Sequence, residues 1–448
     1  MITPSESTGD CLGCEAPEPS EGNYFVSSYP PFSSWNKEQL DRLPTVFDKP
    51  CRDVVDVPLG LYLHVPFCAE RCHYCYYRSY DRPTHDQTDH YVDVLLDELA
   101  SYARAPAVAG RPVDFVYFGG GTPSLLAAHQ IERLFDGVKQ HFPLDAVREV
   151  TFECAPQSAT IDRLRVLRDV GVTRISMGVQ QLDDDVLRKS GRIHRVEHVE
   201  RAWERVAPLG FPVVNLDLMV GLVGETEESF FGSLDRIIAM SPSSVTIYLL
   251  EIPPNTPLFR ALQAHQIEQL PAAWDVKRAR MGRAFEQLEQ SGYAIRSAYA
   301  AVRDPERCRF VYQDAQYHGA DLLGLGVASF SYFGGVHYQN QGSLDRYLQS
   351  VSDHGHARAR AYELSDDERM VREFVLQLKL GGVSAAYFLK KFAVNVAEHF
   401  AAPLAASEQS GWLKVDERGV RLTRDGLLRV DRLIPSFYLP QHRDKAYW

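Results

Sequence analysis

Cys68, Cys72 and Cys75 stand within eight residues of one another in HVPFCAERCHYCYYRSY, at the spacing C-x3-C-x2-C. Thiolates gathered this closely in a chain with few other cysteines read as metal ligands. A structural zinc site takes four ligands, so His64 or His73 would have to complete one here. A cubane cluster has four irons, and three thiolates leave one iron open to a small molecule. His73 lies between two of the cysteines, where a tight ligand loop leaves it little room to turn inward. The spacing therefore favours a [4Fe–4S] cluster. A zinc site and three unconnected core cysteines are the alternatives. The other cysteines, at 11, 14, 51, 154 and 308, are too sparse for a disulfide scaffold. Cys11 and Cys14 have no second pair nearby and read as part of a tail.

A loop of ligands needs a rigid support. From residue 59 onward apolar runs alternate with amphipathic segments: 59–67, 112–120, 149–155, 174–180, 212–221 and 244–250 are the runs. Segments such as YVDVLLDELASYARA repeat apolar residues at helical spacing. Strand–helix alternation of this kind predicts βαβ units and a parallel sheet. Six units are too few for a closed eight-stranded barrel. They suit an α/β fold, either a partial (β/α)6 barrel or a doubly wound sheet, with ligands at the C-terminal strand ends. Residues 1–22, rich in Ser, Pro, Glu and Gly, read as a disordered tail, and 23–58 as an N-terminal arm. The barrel is expected over 59–255. An extension follows over 256–360, where the glycines of GADLLGLGVASFSYFGG suggest tight turns near a pocket. Residues 361–448 read as a mostly helical, winged-helix-like domain.

Composition narrows the function. Apolar content of 45% and charged content of 24% are ordinary for a globular protein. A net charge of -11, with no basic stripe, argues against nucleic acid as a partner. There is no signal peptide and no apolar run long enough to span a membrane, so the expectation is a cytoplasmic enzyme.

Further residues could serve the cysteines. Gly119-Gly120-Gly121-Thr122-Pro123 follows the second strand, where glycines let a backbone approach a ligand, or simply make a tight turn. Glu153 ends the third strand among apolar residues; such a carboxylate needs a partner, from a ligand or from a structural ion pair. Its neighbour Cys154 should face the other way, into the core. Gln180 ends the fourth strand and Asp217 lies in the fifth, so both would reach the same mouth.

CAERCHYC matches the signature of radical S-adenosylmethionine (SAM) enzymes. LYLHVPFC, VYFGGGTPSLL, SMGVQQ, NLDLMVGLVGET and LLGLGVASFS, in that order, resemble the oxygen-independent coproporphyrinogen III dehydrogenase branch, as does YFVSSYPPF near the N-terminus. The resemblance runs from about residue 24 to the C-terminus. It implies that Cys68, Cys72 and Cys75 hold the cluster and that the open iron chelates SAM. Electron transfer then yields a 5′-deoxyadenosyl radical, which takes a hydrogen atom from an unreactive C–H bond. It also implies that Gly119, Gly120, Gly121 and Thr122 hold the methionine end of SAM and that Glu153 and Arg192 approach it. Tyr62 would lie near the cluster and Tyr74 beside adenine. Gln180, Asp217 and Phe330 match a second SAM site found in some members. A flavodoxin- or ferredoxin-type electron donor is implied.

The dehydrogenase pattern continues with a fourth cysteine, and here that position is Tyr77. The continuation CYYRSY, and the block over 312–340, look more like class C C-methylating and cyclopropane-forming members. That likeness implies two SAM molecules, one supplying a methylene group to an sp2 carbon of an unsaturated or heteroaromatic metabolite. Tyr317 and His318 become candidate proton carriers, since histidine suits proton transfer near neutral pH. A methyltransferase-like partner protein would fit ring closure. The expectation is thus a methylene or methyl transferase, narrowly a cyclopropane-forming one. The alternatives are the porphyrinogen dehydrogenase itself and a haem-binding relative that kept the fold.

Overall fold

The computed structural model describes residues 29–443 apart from 54, 55 and 268, together with residue 445. Cys11, Cys14, the tail expected over 1–22 and the first residues of the expected arm lie outside the described residues.

The apolar runs become six strands: β1 (Leu59–Val65), β2 (Val113–Gly120), β3 (Glu149–Cys154), β4 (Arg174–Gln180), β5 (Val213–Val220) and β6 (Ser244–Leu249). They pair in chain order and all run parallel. Parallel neighbours need a crossover. The crossovers are α1 (His85–Ala103), α2 (Ala128–His141), α3 (Ile161–Asp169), α4 (Val196–Val206) and α5 (Glu227–Met240). α1 starts at a capping box: the Gln87 amide donates to Thr84 Oγ1 (3.3 Å) and the Thr84 amide to Gln87 Oε1 (2.9 Å).

Strand alternation divides the side chains by destination. Leu59, Leu61, Leu63 and Val65 are wholly buried, against a helix layer that includes Leu95, Leu99, Ile131 and Leu134. Their alternates Tyr62 and His64 face the barrel interior, where Tyr62 stacks on Tyr117 of β2 with ring centroids 5.7 Å apart. The interior is polar. In β5, Asn215 donates to Asp217 (2.7 Å), and Ser176 of β4 donates to the same carboxylate (3.2 Å). At the N-terminal strand ends the interior is plugged by the buried Arg174–Glu149 pair at 2.9 Å. Glu149 also accepts the amides of Val311 and Tyr312.

The sheet does not stop at the sixth strand. After α6 (Trp274–Gln290), β7 (Ala294–Ile295) and β8 (Ala300–Val302) add antiparallel strands beside β6. The short α7 (Val311–Tyr317) then leads to β9 (Asp321–Leu325), which pairs parallel with the free edge of β1. The antiparallel strands β10 (Phe330–Phe333), β11 (Val336–Asn340) and β12 (Arg358–Glu363) complete one twelve-stranded sheet in the order β12-β11-β10-β9-β1-β2-β3-β4-β5-β6-β8-β7. The six expected parallel strands of the partial barrel are all present, β9 adds a seventh at the free edge of β1, and the sheet runs on across the boundary expected near 255. The glycine-rich stretch hid the seventh strand. A Cβ at Gly324 would stand 2.2 Å from the Phe330 carbonyl oxygen, so glycine serves a close strand approach there.

The C-terminal region packs α9 (Asp366–Leu378) and α10 (Ala385–Phe392), with α8 (Leu344–His354) preceding them beside α1, onto the same core. Its small sheet joins β13 (Gly382–Ser384), β14 (Leu413–Asp416) and β15 (Gly419–Leu422), which matches the winged-helix-like pattern with one strand more. No helix of the described residues is long and apolar enough to cross a membrane.

Candidate active site

β1 delivers the chain to the C-terminal end of the sheet, where Phe67–Cys68 pairs with Tyr80–Asp81 and closes the cysteine loop between them. The loop is pinned from several sides. Arg71 Nη2 donates to the Cys75 carbonyl (2.7 Å), and the Leu258 amide to the His73 carbonyl (2.7 Å). The His73 amide donates to Ser190 O (3.1 Å), its Nδ1 lies 3.2 Å from Lys189 O, and its ring stands against Gly191. His73 is thus committed to the segment after β4, which removes it as a fourth zinc ligand. Cys68, Cys72 and Cys75 are all free thiols. Burial, then the neighbouring Cys72, pushes Cys75 up to about 12. Burial also raises Cys68, against the Thr122 hydroxyl that donates to its sulfur (3.7 Å). Arg192 Nη1 donates to Cys72 Sγ (3.3 Å), and its Nη2 to the Gly178 carbonyl (2.5 Å).

These groups share one cavity of about 430 Å³. Its walls include the three cysteines, Tyr74, Gly120, Gly121, Thr122, Glu153, Gln180, Arg192 and Asp217. The strands explain much of the convergence: Gly120, Glu153 and Gln180 stand at the C-terminal ends of β2, β3 and β4, Gly121 and Thr122 follow directly, and Asp217 projects from the middle of β5. Glu153 accepts Tyr117 Oη–H (2.6 Å) and the Gly120 amide (3.1 Å), yet burial outweighs both and pushes its carboxyl up to about 7. Asp217 is likewise pushed up to about 7, by burial and then by the nearby Glu153. Cys154 is buried in the hydrophobic core directly behind the cavity wall, to which it also contributes.

The glycine loop is shaped by its neighbours. A Cβ at Gly120 would meet the His64 ring at 2.6 Å, and one at Gly121 the Phe67 carbonyl oxygen at 2.7 Å; Gly120 also has φ +117°. Gly119 lies just behind the wall, where a Cβ would meet Tyr117 at 2.7 Å and Glu153 at 3.0 Å. Gln180 carries φ +68° at the irregular end of β4. Its Oε1 and the Arg192 Nε are buried without a hydrogen-bond partner. Orphaned polar atoms around a cavity fit a bound ligand that carries both donors and acceptors. SAM is such a ligand, and three free thiols fit its cluster.

The structure does not bring every expected residue here. Tyr62 stands under the wall, with Tyr117 and with His64, whose Nδ1 lies 3.2 Å from the Tyr62 hydroxyl. Phe330 is not among the cavity-lining residues; it packs on Phe32 (4.5 Å) and Trp35 (5.8 Å). Tyr317 and His318 are also absent from the lining. Tyr317 lies in α7, near the opposite end of the barrel interior, and its carbonyl accepts from Gln377 (3.2 Å). His318 is exposed as the C-cap of α7, with Nδ1 2.7 Å from the Asp314 carbonyl and its own carbonyl held by Tyr387 and Lys391. Their expected role as proton carriers at the cavity is corrected, because they anchor the C-terminal region instead. Sequence reading missed Arg71, Arg163, Tyr248 and Glu251, which all line the cavity. For Tyr248 the signal was available, since alternation in β6 puts it on the interior face. For Arg71 and Arg163 none was.

Comparison with known proteins agrees with this geometry. The family model described as the radical SAM superfamily matches residues 62–237, and that of the HemN C-terminal domain matches 364–429. The chain is 30% identical to the oxygen-independent coproporphyrinogen III oxidase of Escherichia coli (strain K12), over 86% of each chain. It is 27% identical to the heme chaperone HemW of Bacillus subtilis (strain 168), over 84% of this chain and 98% of that one. The solved structure of coproporphyrinogen III oxidase (HemN) from Escherichia coli superposes with a TM-score of 0.80 at 27% identity, covering 92% of this chain and 96% of that chain. These likenesses overturn the expectation of methylene or methyl transfer and cyclopropane formation, and favour the porphyrinogen alternative. A [4Fe–4S] cluster and SAM are the cofactors that the family implies. The chain is a radical SAM enzyme and belongs to the coproporphyrinogen oxidase-like branch of the radical SAM superfamily.

Proposed function

We propose that the chain oxidatively decarboxylates propionate side chains of a coproporphyrinogen-type tetrapyrrole. The observation that carries this reading is the extent of the likeness to the oxidase structure, which takes in barrel, extension and C-terminal region together. When bound, the cluster and SAM supply a 5′-deoxyadenosyl radical, the hydrogen-atom acceptor that such a reaction needs. The chain's own residues do the rest. Cys68, Cys72 and Cys75 hold the cluster, and Thr122 and Arg192 orient two of the sulfurs. Gly120 and Gly121 give SAM a backbone wall. Glu153 and Asp217 sit near neutrality in a polar interior, so each can accept or donate hydrogen bonds to SAM. Loss of a substrate hydrogen atom, of carbon dioxide and of one electron converts each propionate to a vinyl group. The electron needs an acceptor, and the cluster needs a low-potential flavodoxin- or ferredoxin-type donor.

Gln180 and Asp217 also support a second SAM in the same cavity, while Phe330, the third residue matched to that site, packs elsewhere. Equilibrium dialysis on cluster-loaded protein tests it: two SAM per chain is the expected result, and one removes the second site. The reaction itself is tested by anaerobic incubation with coproporphyrinogen III, SAM and a strong reductant. Successive losses of carboxyl groups in the mass spectrum are expected. Two observations favour a second reading, a haem carrier: Tyr77 stands where the dehydrogenase pattern has a further cysteine, and the HemW likeness spans 98% of that relative. Stoichiometric haem binding, with no decarboxylation, would select it.

A further inference from the structure

Arg163 stands in the first turn of α3 and lines the cavity, on the side formed by the loops after β2 and β3. Its Nη1 donates to the Ser158 carbonyl and its Nη2 to the Leu125 carbonyl, each at 3.2 Å. A guanidinium has five N–H donors, so three remain. Among the described residues no carboxylate pairs with it. The titratable group it faces is Cys154, whose thiol burial pushes up to about 12 and so leaves neutral.

Bracing the two loops does not require an arginine. Ser124 Oγ and Ser158 Oγ already hydrogen-bond across them at 2.5 Å, and the Ala155 amide donates to Ser124 Oγ at 3.0 Å. The other cavity arginines serve the cysteine loop: Arg192 donates to Cys72 and Gly178, and Arg71 to the Cys75 carbonyl, while each keeps a buried Nε without a partner. A half-buried cation without a counter-charge is costly, and its cost is recovered when an anion arrives. The fixed fork of a guanidinium suits a carboxylate best.

We propose that Arg163 is a specificity-determining residue that takes a carboxylate of the substrate. The inference rests on the tetrapyrrole reading, in which that carboxylate is a propionate. The carboxylate of SAM is the competing source of the same chemistry, and the experiment separates the two.

Cluster-loaded protein is titrated with coproporphyrin III, a fluorescent and unreactive analogue, and with its tetramethyl ester. Wild type, Arg163→Lys and Arg163→Met are compared, with SAM binding measured in parallel. The expected result is that Arg163→Met weakens the free acid by about tenfold or more, leaves the ester and SAM unchanged, and that Arg163→Lys recovers part of the loss. Equal binding of the free acid by wild type and Arg163→Met overturns the inference and leaves the proposed function standing. So does an equal loss for acid and ester, which is the mark of a merely structural role. Weakened SAM with unchanged coproporphyrin assigns Arg163 to SAM instead. Wild type that binds neither porphyrin overturns the inference and the proposed function together. Should Arg163→Met fail to fold, Arg163→Lys against Arg163→Gln gives the same comparison.

Discussion

Cys68, Cys72 and Cys75 carry the cluster assignment. Replacing any one by alanine is expected to abolish the cluster absorbance of reconstituted protein and all reductive SAM cleavage; full activity in any of the three variants would remove the radical mechanism. Cys11→Ala and Cys14→Ala should leave both unchanged. The carboxylates make a second prediction. Asp217 has its carboxyl raised to about 7 from an ordinary 3.8, chiefly by burial. A carboxyl raised in the folded state costs stability once ionised. The cost grows as pH rises from about 4 to about 7 and is constant above. Ligand-free Asp217→Asn should therefore be more stable than wild type at pH 8, by at most ~4 kcal/mol, with the advantage gone below pH 4. Thermal melts across that range check it, and an advantage that grows toward acid contradicts it. The cysteine spacing and the glycine run were legible because each is a local pattern. Arg163 and Arg71 were not, since what makes them matter is a cavity assembled from distant loops. Tyr317 and His318 were chosen for side-chain chemistry alone, and their place in the fold decided otherwise.

At the scale of elements, strand alternation made β1 to β6 legible. Each has one face fully apolar against helices, and that face survives as a pattern in the sequence. β9 was hidden because Gly324 gives up its side chain to the backbone of β10. The glycine loop after β2 is expected to be intolerant for a packing reason. Gly120→Ala would place a methyl group against His64 at a positive φ, and should cost about 1–3 kcal/mol together with SAM affinity. A melting temperature and a SAM Kd equal to wild type would contradict the close packing of β1 against this loop. α9 begins at a capping box in which Glu368 also receives Tyr362 Oη–H (2.7 Å) and pairs with His442 Nε2 (2.6 Å). Burial raises the Glu368 carboxyl, but the His442, Ser365 and Tyr362 bonds prevail and hold it at about 2. A depressed carboxylate contributes stability above its ordinary 4.5, and that contribution is lost as pH falls from there toward 2. Glu368→Gln should therefore destabilise at pH 7 and differ little from wild type near pH 2. Equal melts at pH 7 would show that the pair contributes nothing.

Over the whole molecule, the twelve-stranded sheet joins the barrel, the extension and the edge strands on which α9 packs, so the cavity is built on one continuous support. The likeness to coproporphyrinogen III oxidase extends over that same whole. Reading CYYRSY as the mark of a methyl-transferring enzyme gave weight to one position, Tyr77, which lies 41% exposed on the cavity wall and stacks on Tyr76. A single wall residue says less about the reaction than the architecture around it. The central claim is that the radical takes its hydrogen from a propionate. We would incubate the reconstituted protein anaerobically with SAM, reductant and coproporphyrinogen III deuterated at the propionate β-carbons, and analyse the products by mass spectrometry. Deuterium in 5′-deoxyadenosine, with carboxyl groups lost from the porphyrinogen, is the predicted result. Unlabelled 5′-deoxyadenosine with an intact porphyrinogen would contradict the account.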